Sequence, residues 1–129
     1  MVSWAPMAVR DGTIPGGWPG WRGRLPAVAA PSGTLTFLFT DIEGSTRLWE
    51  DRPEEMRGLV VQHDERLRAA IEDNGGYVFA TGGDGFGAAF SRAAGAVAAA
   101  EQAQAAIADL PEIRVRMGIN TGEVQERGG

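Results

Sequence analysis

Apolar residues recur at regular intervals only from Thr34 onward. In TLTFLFTD, Leu35, Phe37 and Phe39 alternate with Thr34, Thr36 and Thr40, and Leu38 adds apolar character to the second face. That pattern predicts a central strand. Gly44, Ser45 and Thr46 supply turn and N-cap chemistry for a short helix through Leu48 and Trp49. Pro53 suits the first turn of a second helix, with Glu54 and Glu55 placed favourably against its dipole. Met56, Val60, His63, Leu67 and Ile71 then recur at helical spacing until Asn74-Gly75-Gly76 ends the run. YVFAT and GFGAAF flank Gly82-Gly83-Asp84-Gly85 and predict a β-hairpin. An Ala-rich helix follows over about Arg92 to Asp109, with a core stripe expected at Ala93, Val97, Ala100, Ile107 and Leu110. Last, Ile113, Val115, Met117 and Ile119 alternate with Arg114, Arg116 and Gly118, which predicts a strand with one wet face.

The order strand–helix–helix–strand–strand–helix–strand predicts an α/β sandwich with helices on one face of a mixed sheet. If the second strand runs parallel to the first, the hairpin tip shares a sheet edge with the end of the first strand. Asp41 and Asp84 would then meet. Singly, Asp41 reads as a turn cap and Asp84 as a residue tolerant of left-handed backbone. Together they imply more. Two carboxylates ~4 Å apart repel by ~4 kcal/mol at an effective dielectric near ~20, so a proton or cation is expected between them. Hard oxygen ligands with open positions suit Mg²⁺, which takes one or two carboxylates plus substrate phosphates. Glycines at 82, 83, 85 and 87 leave room for a triphosphate near the backbone. No Walker-type GK[ST] occurs, which disfavours a P-loop.

The first 33 residues follow another rule. They hold five of the seven prolines, are frequent in Gly and show no periodicity, so they are expected to form a disordered leader. Trp4, Trp18 and Trp21 within it are either docking aromatics or a solvated tail. Three Arg and one Asp give the leader a net charge of +2, while nine Arg and sixteen acids give residues 34–129 a net of −7. A body that acidic is a poor non-specific partner for nucleic acid, because phosphate neutralisation supplies most of that affinity. Cysteine is absent, which excludes disulfides, thiolate zinc sites and a Cys nucleophile and fits a cytoplasmic location. No segment approaches the ~20 apolar residues of a membrane span. Pro6, Arg10, Asp11 and Pro15 interrupt any signal-peptide core, and no membrane partner is expected.

Three blocks, TFLFTDIEGSTRLWE (36–50), NGGYVFATGGDGFGAAF (74–90) and VRMGINTGEV (115–124), resemble consecutive blocks of class III adenylate/guanylate cyclase catalytic domains. The bacterial type often joined to large transcriptional regulators is the nearest match, and the likeness covers about three-quarters of the chain. It implies a ferredoxin-like cyclase fold, of which residues 34–129 are the N-terminal part. It also implies conversion of ATP or GTP to the 3′,5′-cyclic nucleotide and pyrophosphate, at sites between the subunits of a homodimer or heterodimer of cyclase domains. Residue by residue, Asp41 and Asp84 take the places of the metal-binding aspartates, and Ile42 that of the residue whose backbone carbonyl assists. Two Mg²⁺ or Mn²⁺ ions are implied, one activating the ribose 3′-hydroxyl and the other clamping the triphosphate. Glu43, Gly44, Ser45 and Thr46 form the turn whose backbone N–H groups would meet the phosphates, with the Glu43 side chain pointing outward.

Two departures accompany the resemblance. Ala80 stands where ATP-using members carry a purine-selecting Lys, and the chain has no Lys to substitute. The family's ribose-binding Asn and charge-stabilising Arg would fall beyond Gly129, so the chain is expected to be inactive alone. A non-catalytic cyclase-like regulatory or dimerisation module is the alternative, and Ala80 favours it. GGDGF also resembles the diguanylate cyclase hairpin GGDEF, but its second acid is Gly85 here. His63 is expected to be a partly buried helix residue without catalytic partners. Arg47, Arg66, Arg68, Arg114 and Arg116 are expected at the surface.

Overall fold

Alternation and turn chemistry produce the expected elements over most of their lengths. The computed structural model describes residues 2–4, 33–82 and 84–124. In chain order the elements are β1 (Val2–Trp4), β2 (Gly33–Ile42), α1 (Ser45–Asp51), α2 (Pro53–Asp73), β3 (Tyr77–Gly82), β4 (Gly85–Phe90), α3 (Ala93–Ala106) and β5 (Val115–Val124). The strands form one sheet in the order β1-β5-β2-β4-β3. Strand β2 pairs antiparallel with both β4 and β5, and β3 pairs antiparallel with β4. Strand β1 pairs parallel to β5, which makes the sheet mixed. The leader, expected to lack regular structure throughout, therefore contributes one short strand. An exposed sheet edge offers unpaired N–H and C=O groups that even three residues can satisfy. The rest of the expected leader, the Gly83 position and residues 125–129 lie outside the described residues.

Residue parity sorts the sheet into two faces. Leu38, Ile42, Phe86, Ala88, Phe90, Val115, Met117 and Ile119 share one buried core with residues of α2 and α3. Leu35, Phe37 and Phe39 are buried on the other face. There the rings of Phe37 and Phe39 stack at 6.2 Å, and Phe79 meets both edge-on at 6.1 and 6.0 Å. Opposite them on β4 stand Ala89 and Gly87, small enough to leave the rings their volume. Gly87, expected to leave space for a phosphate, is instead an interior strand position.

The packing faces of the helices differ in part from the expected stripes. In α2 the buried set is Met56, Leu59, His63, Leu67, Ala70 and Ile71, so Leu59 and Ala70 join the core while Val60 is half-buried. In α3 the buried residues are Ala96, Ala99, Ala100 and Ala103. Ala93 is exposed and Val97 is 45 % exposed, which corrects the expected stripe. The reason is steric: a row of methyl side chains lets α3 lie closer to the sheet and α2 than a row carrying Val would. Ile107 and Leu110 are buried, as expected, but beyond the helix end. Arg66 reaches across from α2 to donate to the Ala106 carbonyl at 2.7 Å and pairs with Asp109, tying the C-terminus of α3 to α2. Arg68 lies over the Phe86 ring at 5.7 Å. Neither arginine is a merely solvated surface charge.

His63 is fully buried, not partly, with its ring 6.0 Å from that of Phe86. Its Nδ1 is 2.8 Å from the Asp64 carboxylate, but Nε2 has no hydrogen-bond partner among the described residues. A buried unpaired polar atom costs about 1–3 kcal/mol. His63→Leu is therefore expected to keep or raise stability in urea unfolding. His63→Ala, which leaves a cavity, should lower it by about 2–4 kcal/mol. A Leu variant as damaged as the Ala variant would show that Nε2 is in fact satisfied.

Candidate metal and phosphate site

Strand direction puts the end of β2 and the β3–β4 tip on one rim. Strand β4 is antiparallel to both β2 and β3, so β3 runs parallel to β2 and the β3–β4 tip returns to the rim where β2 ends. The last paired positions are Thr40 and Phe86, and the Phe86 N–H also donates to the Thr40 hydroxyl at 3.0 Å. One step further, Gly85 packs directly on β2. A Cβ built there would lie 2.0 Å from the Thr40 carbonyl oxygen and 3.3 Å from Asp41 Cα. Only glycine permits that approach. Asp84, the preceding residue, consequently stands beside the end of β2 on the same rim as Asp41.

Each carboxylate has a partner from elsewhere in the chain. Asp41 is cross-strand from Arg116 and accepts two hydrogen bonds from its guanidinium, Nε to Oδ1 at 2.9 Å and Nη2 to Oδ2 at 2.7 Å. These bonds and the Asp41 charge hold the Arg116 pKa above its ordinary value, and the Glu43 charge adds to the effect. Asp84 Oδ1 accepts a bond from the Trp49 indole N–H of α1 at 3.1 Å. Neither contact was expected: Arg116 reads in the sequence as one more charge on a wet strand face, and Trp49 as a helix apolar residue. Cross-strand register would have exposed the first, but register is non-local.

The remaining candidates surround this rim. Ile42 is buried at the end of β2, and Glu43, whose N–H donates to the Arg114 carbonyl at 2.7 Å, is exposed. Gly44 caps α1 with a left-handed φ of 65° and no side-chain cap bond. The first intrahelical bond runs from Leu48 N to Gly44 O, so the Ser45, Thr46 and Arg47 amides precede the helical ladder. Ala80 pairs with Gly87, itself opposite Phe39, and so lies on the sheet face that carries Asp41 two positions further along β2. A cavity of about 620 Å³ lies between the α3–β5 connection and the rim, lined by Glu43, Leu110, Ile113, Arg114 and Arg116 among others. Two carboxylates on one rim, beside a glycine-shaped hairpin, are hard oxygen donors that fit a divalent cation with positions left for other ligands. No third His, Cys, Asp or Glu groups with them among the described residues. No described helix is long and apolar enough to cross a membrane.

Helices on one face of a mixed sheet, with the end of β2 and the β3–β4 tip at one rim, are the architecture on which the class rests. The family of adenylate and guanylate cyclase catalytic domains matches residues 27–127, and the chain belongs to it. Its relatives include an uncharacterized protein of Mycobacterium tuberculosis, 43% identical over 106 residues, or 81% of this chain and 35% of that protein. An adenylate cyclase of Podospora anserina is 43% identical over 76 residues, covering 58% of this chain and 4% of that protein. Among solved structures, an adenylate cyclase of Trypanosoma brucei in its monomeric state superposes with a TM-score of 0.69 at 26% identity. That match covers 78% of this chain and 62% of the other. The guanylyl cyclase Cya2 gives 0.63 at 25% identity, over 72% of this chain and 57% of its own. The chain thus spans about a third of the mycobacterial relative's length.

Proposed function

We propose that this chain carries the metal- and phosphate-binding part of a nucleotidyl cyclase domain that forms a 3′,5′-cyclic nucleotide and pyrophosphate from ATP or GTP. The convergence of Asp41 and Asp84 on one rim carries the reading. Two Mg²⁺ or Mn²⁺ ions, when bound, would supply Lewis-acid activation of the ribose 3′-hydroxyl and neutralisation of triphosphate charge. Asp41 and Asp84 would hold them, with the Ile42 carbonyl as a further oxygen donor. The turn through Glu43, Gly44, Ser45 and Thr46 would orient the phosphates with amides that the first turn of α1 leaves outside its ladder. Ala80 offers no hydrogen bond to a purine, so base selection falls to other residues of an assembled domain.

The ribose-binding Asn and the charge-stabilising Arg that the family resemblance implies are matched to no residue named here, and turnover would draw on groups supplied elsewhere in an assembled domain. Its partner would be a second cyclase domain, in a homodimer or heterodimer, and its setting a bacterial cytoplasm. A non-catalytic regulatory or dimerisation module is the second reading, and Ala80 is the residue that favours it. Mixing the chain with an intact cyclase domain lacking both metal aspartates separates the two. Recovery of cyclic AMP or cyclic GMP formation with Mn²⁺ is the expected result. Turnover no higher than that of the defective domain alone would leave the non-catalytic reading.

A further inference from the structure

Asp41 and Asp84 differ in what holds them. Asp84 is held at one oxygen by a neutral indole donor, whereas both oxygens of Asp41 are taken by the Arg116 fork. The Asp41 side chain is only 19% exposed, so its charge is poorly hydrated and calls for a counter-charge in the metal-free fold. The Arg116 side chain is 51% exposed and can turn into water without leaving a void. We propose that Arg116 is an internal counter-ion that occupies Asp41 and yields it when a divalent cation arrives. The inference rests on the metal reading above and concerns how that site is loaded.

Competition follows from the shared atoms. A cation at Asp41 needs lone pairs on the same two oxygens that the guanidinium uses, and its double charge repels a guanidinium kept at hydrogen-bond distance. A released Arg116 has a second anion within reach of its field. The exposed Glu43 acts on it electrostatically, and both residues line the same cavity. Loading would then move Arg116 from Asp41 toward Glu43, leaving the backbone of β2 and β5 in place. Asp84 needs no such exchange, since the Trp49 contact uses one oxygen only.

The test is Mn²⁺ titration of the full chain, followed by the electron paramagnetic signal of free Mn²⁺, for wild type, Arg116→Gln, Arg116→Lys and Arg114→Gln. Arg116→Gln is expected to tighten Mn²⁺ by roughly three- to tenfold, with Arg116→Lys in between, because lysine keeps the charge but not the fork. Arg114→Gln removes the same charge from a neighbour with no bond to Asp41, and should stay within about twofold of wild type. Unchanged or weaker binding in Arg116→Gln, or an equal gain in Arg114→Gln, overturns the proposal. If Arg116→Gln does not fold, the Arg116 Nε–H resonance of the wild type decides. It should lose its hydrogen-bonded shift over the same Mg²⁺ range in which metal binds, and a resonance unmoved at saturation overturns the inference. Absence of Mn²⁺ uptake by the wild type would remove the metal reading itself, a result distinct from equal affinities.

Discussion

Gly85→Ala is expected to lower the stability of the fold by about 3 kcal/mol or more and to weaken Mn²⁺ binding with it. The added methyl would sit 2.0 Å from the Thr40 carbonyl oxygen, well inside contact distance. The obstacle is backbone of a central strand, not the end of a flexible side chain. Relief therefore requires β4 to move off β2, and the Thr40–Phe86 pairing and the Phe86 N–H bond to the Thr40 hydroxyl would be lost or stretched. Because Asp84 is attached to Gly85, the same movement takes one carboxylate away from the other. The measurement is a urea transition at unchanged slope, alongside Mn²⁺ titration. Gly58→Ala is the control: Gly58 lies exposed in the middle of α2 with open space where a methyl would project, and the change should gain about 0.5–1 kcal/mol. A Gly85→Ala protein as stable as wild type would mean that the hairpin tip does not rest on β2.

Asp41→Ala and Asp84→Ala are each expected to weaken Mn²⁺ binding by at least about a hundredfold, since even the loss of an outer partner of a metal ligand costs about 10- to 100-fold. Neither change should unfold the protein. Asp41→Ala removes the poorly hydrated carboxylate together with its bonds and leaves Arg116 half in water, so the net loss is expected to be about 1 kcal/mol. Asp84→Ala removes the acceptor of one indole bond, a loss of about 1 kcal/mol. Circular dichroism and urea midpoints near wild type would therefore accompany the loss of metal. Glu43→Ala should retain most of the binding, because Glu43 is exposed and forms no group of three with the aspartates among the described residues. Equal binding in all three variants would remove the metal assignment of the rim.

Much of this was readable from residue order, for a local reason. Alternation in 34–40, the Pro53 start and the Asn74-Gly75-Gly76 stop depend on neighbours within a turn or two, and the elements β2, α2 and the β3–β4 hairpin appear where that chemistry puts them. Asp84 at a hairpin tip was equally legible, because a tip is a local event. Its place on the same rim as the end of β2 needed only the relative direction of two strands.

Tertiary structure decided the rest. Which alanines of α3 face inward depends on how closely that helix approaches the sheet and α2, so Ala96 and Ala103 are buried while the more apolar Val97 is 45 % exposed. Arg116 became the partner of Asp41 through the register of β5 on β2, set by a ladder joining residues far apart in the chain. Trp49 reached Asp84 through the placement of α1 at the same rim. The residue sequence determined the elements and the two acids, because those signals are short-range. What holds each acid was left to long-range packing, where a shift of one residue in pairing sends a side chain to the opposite face.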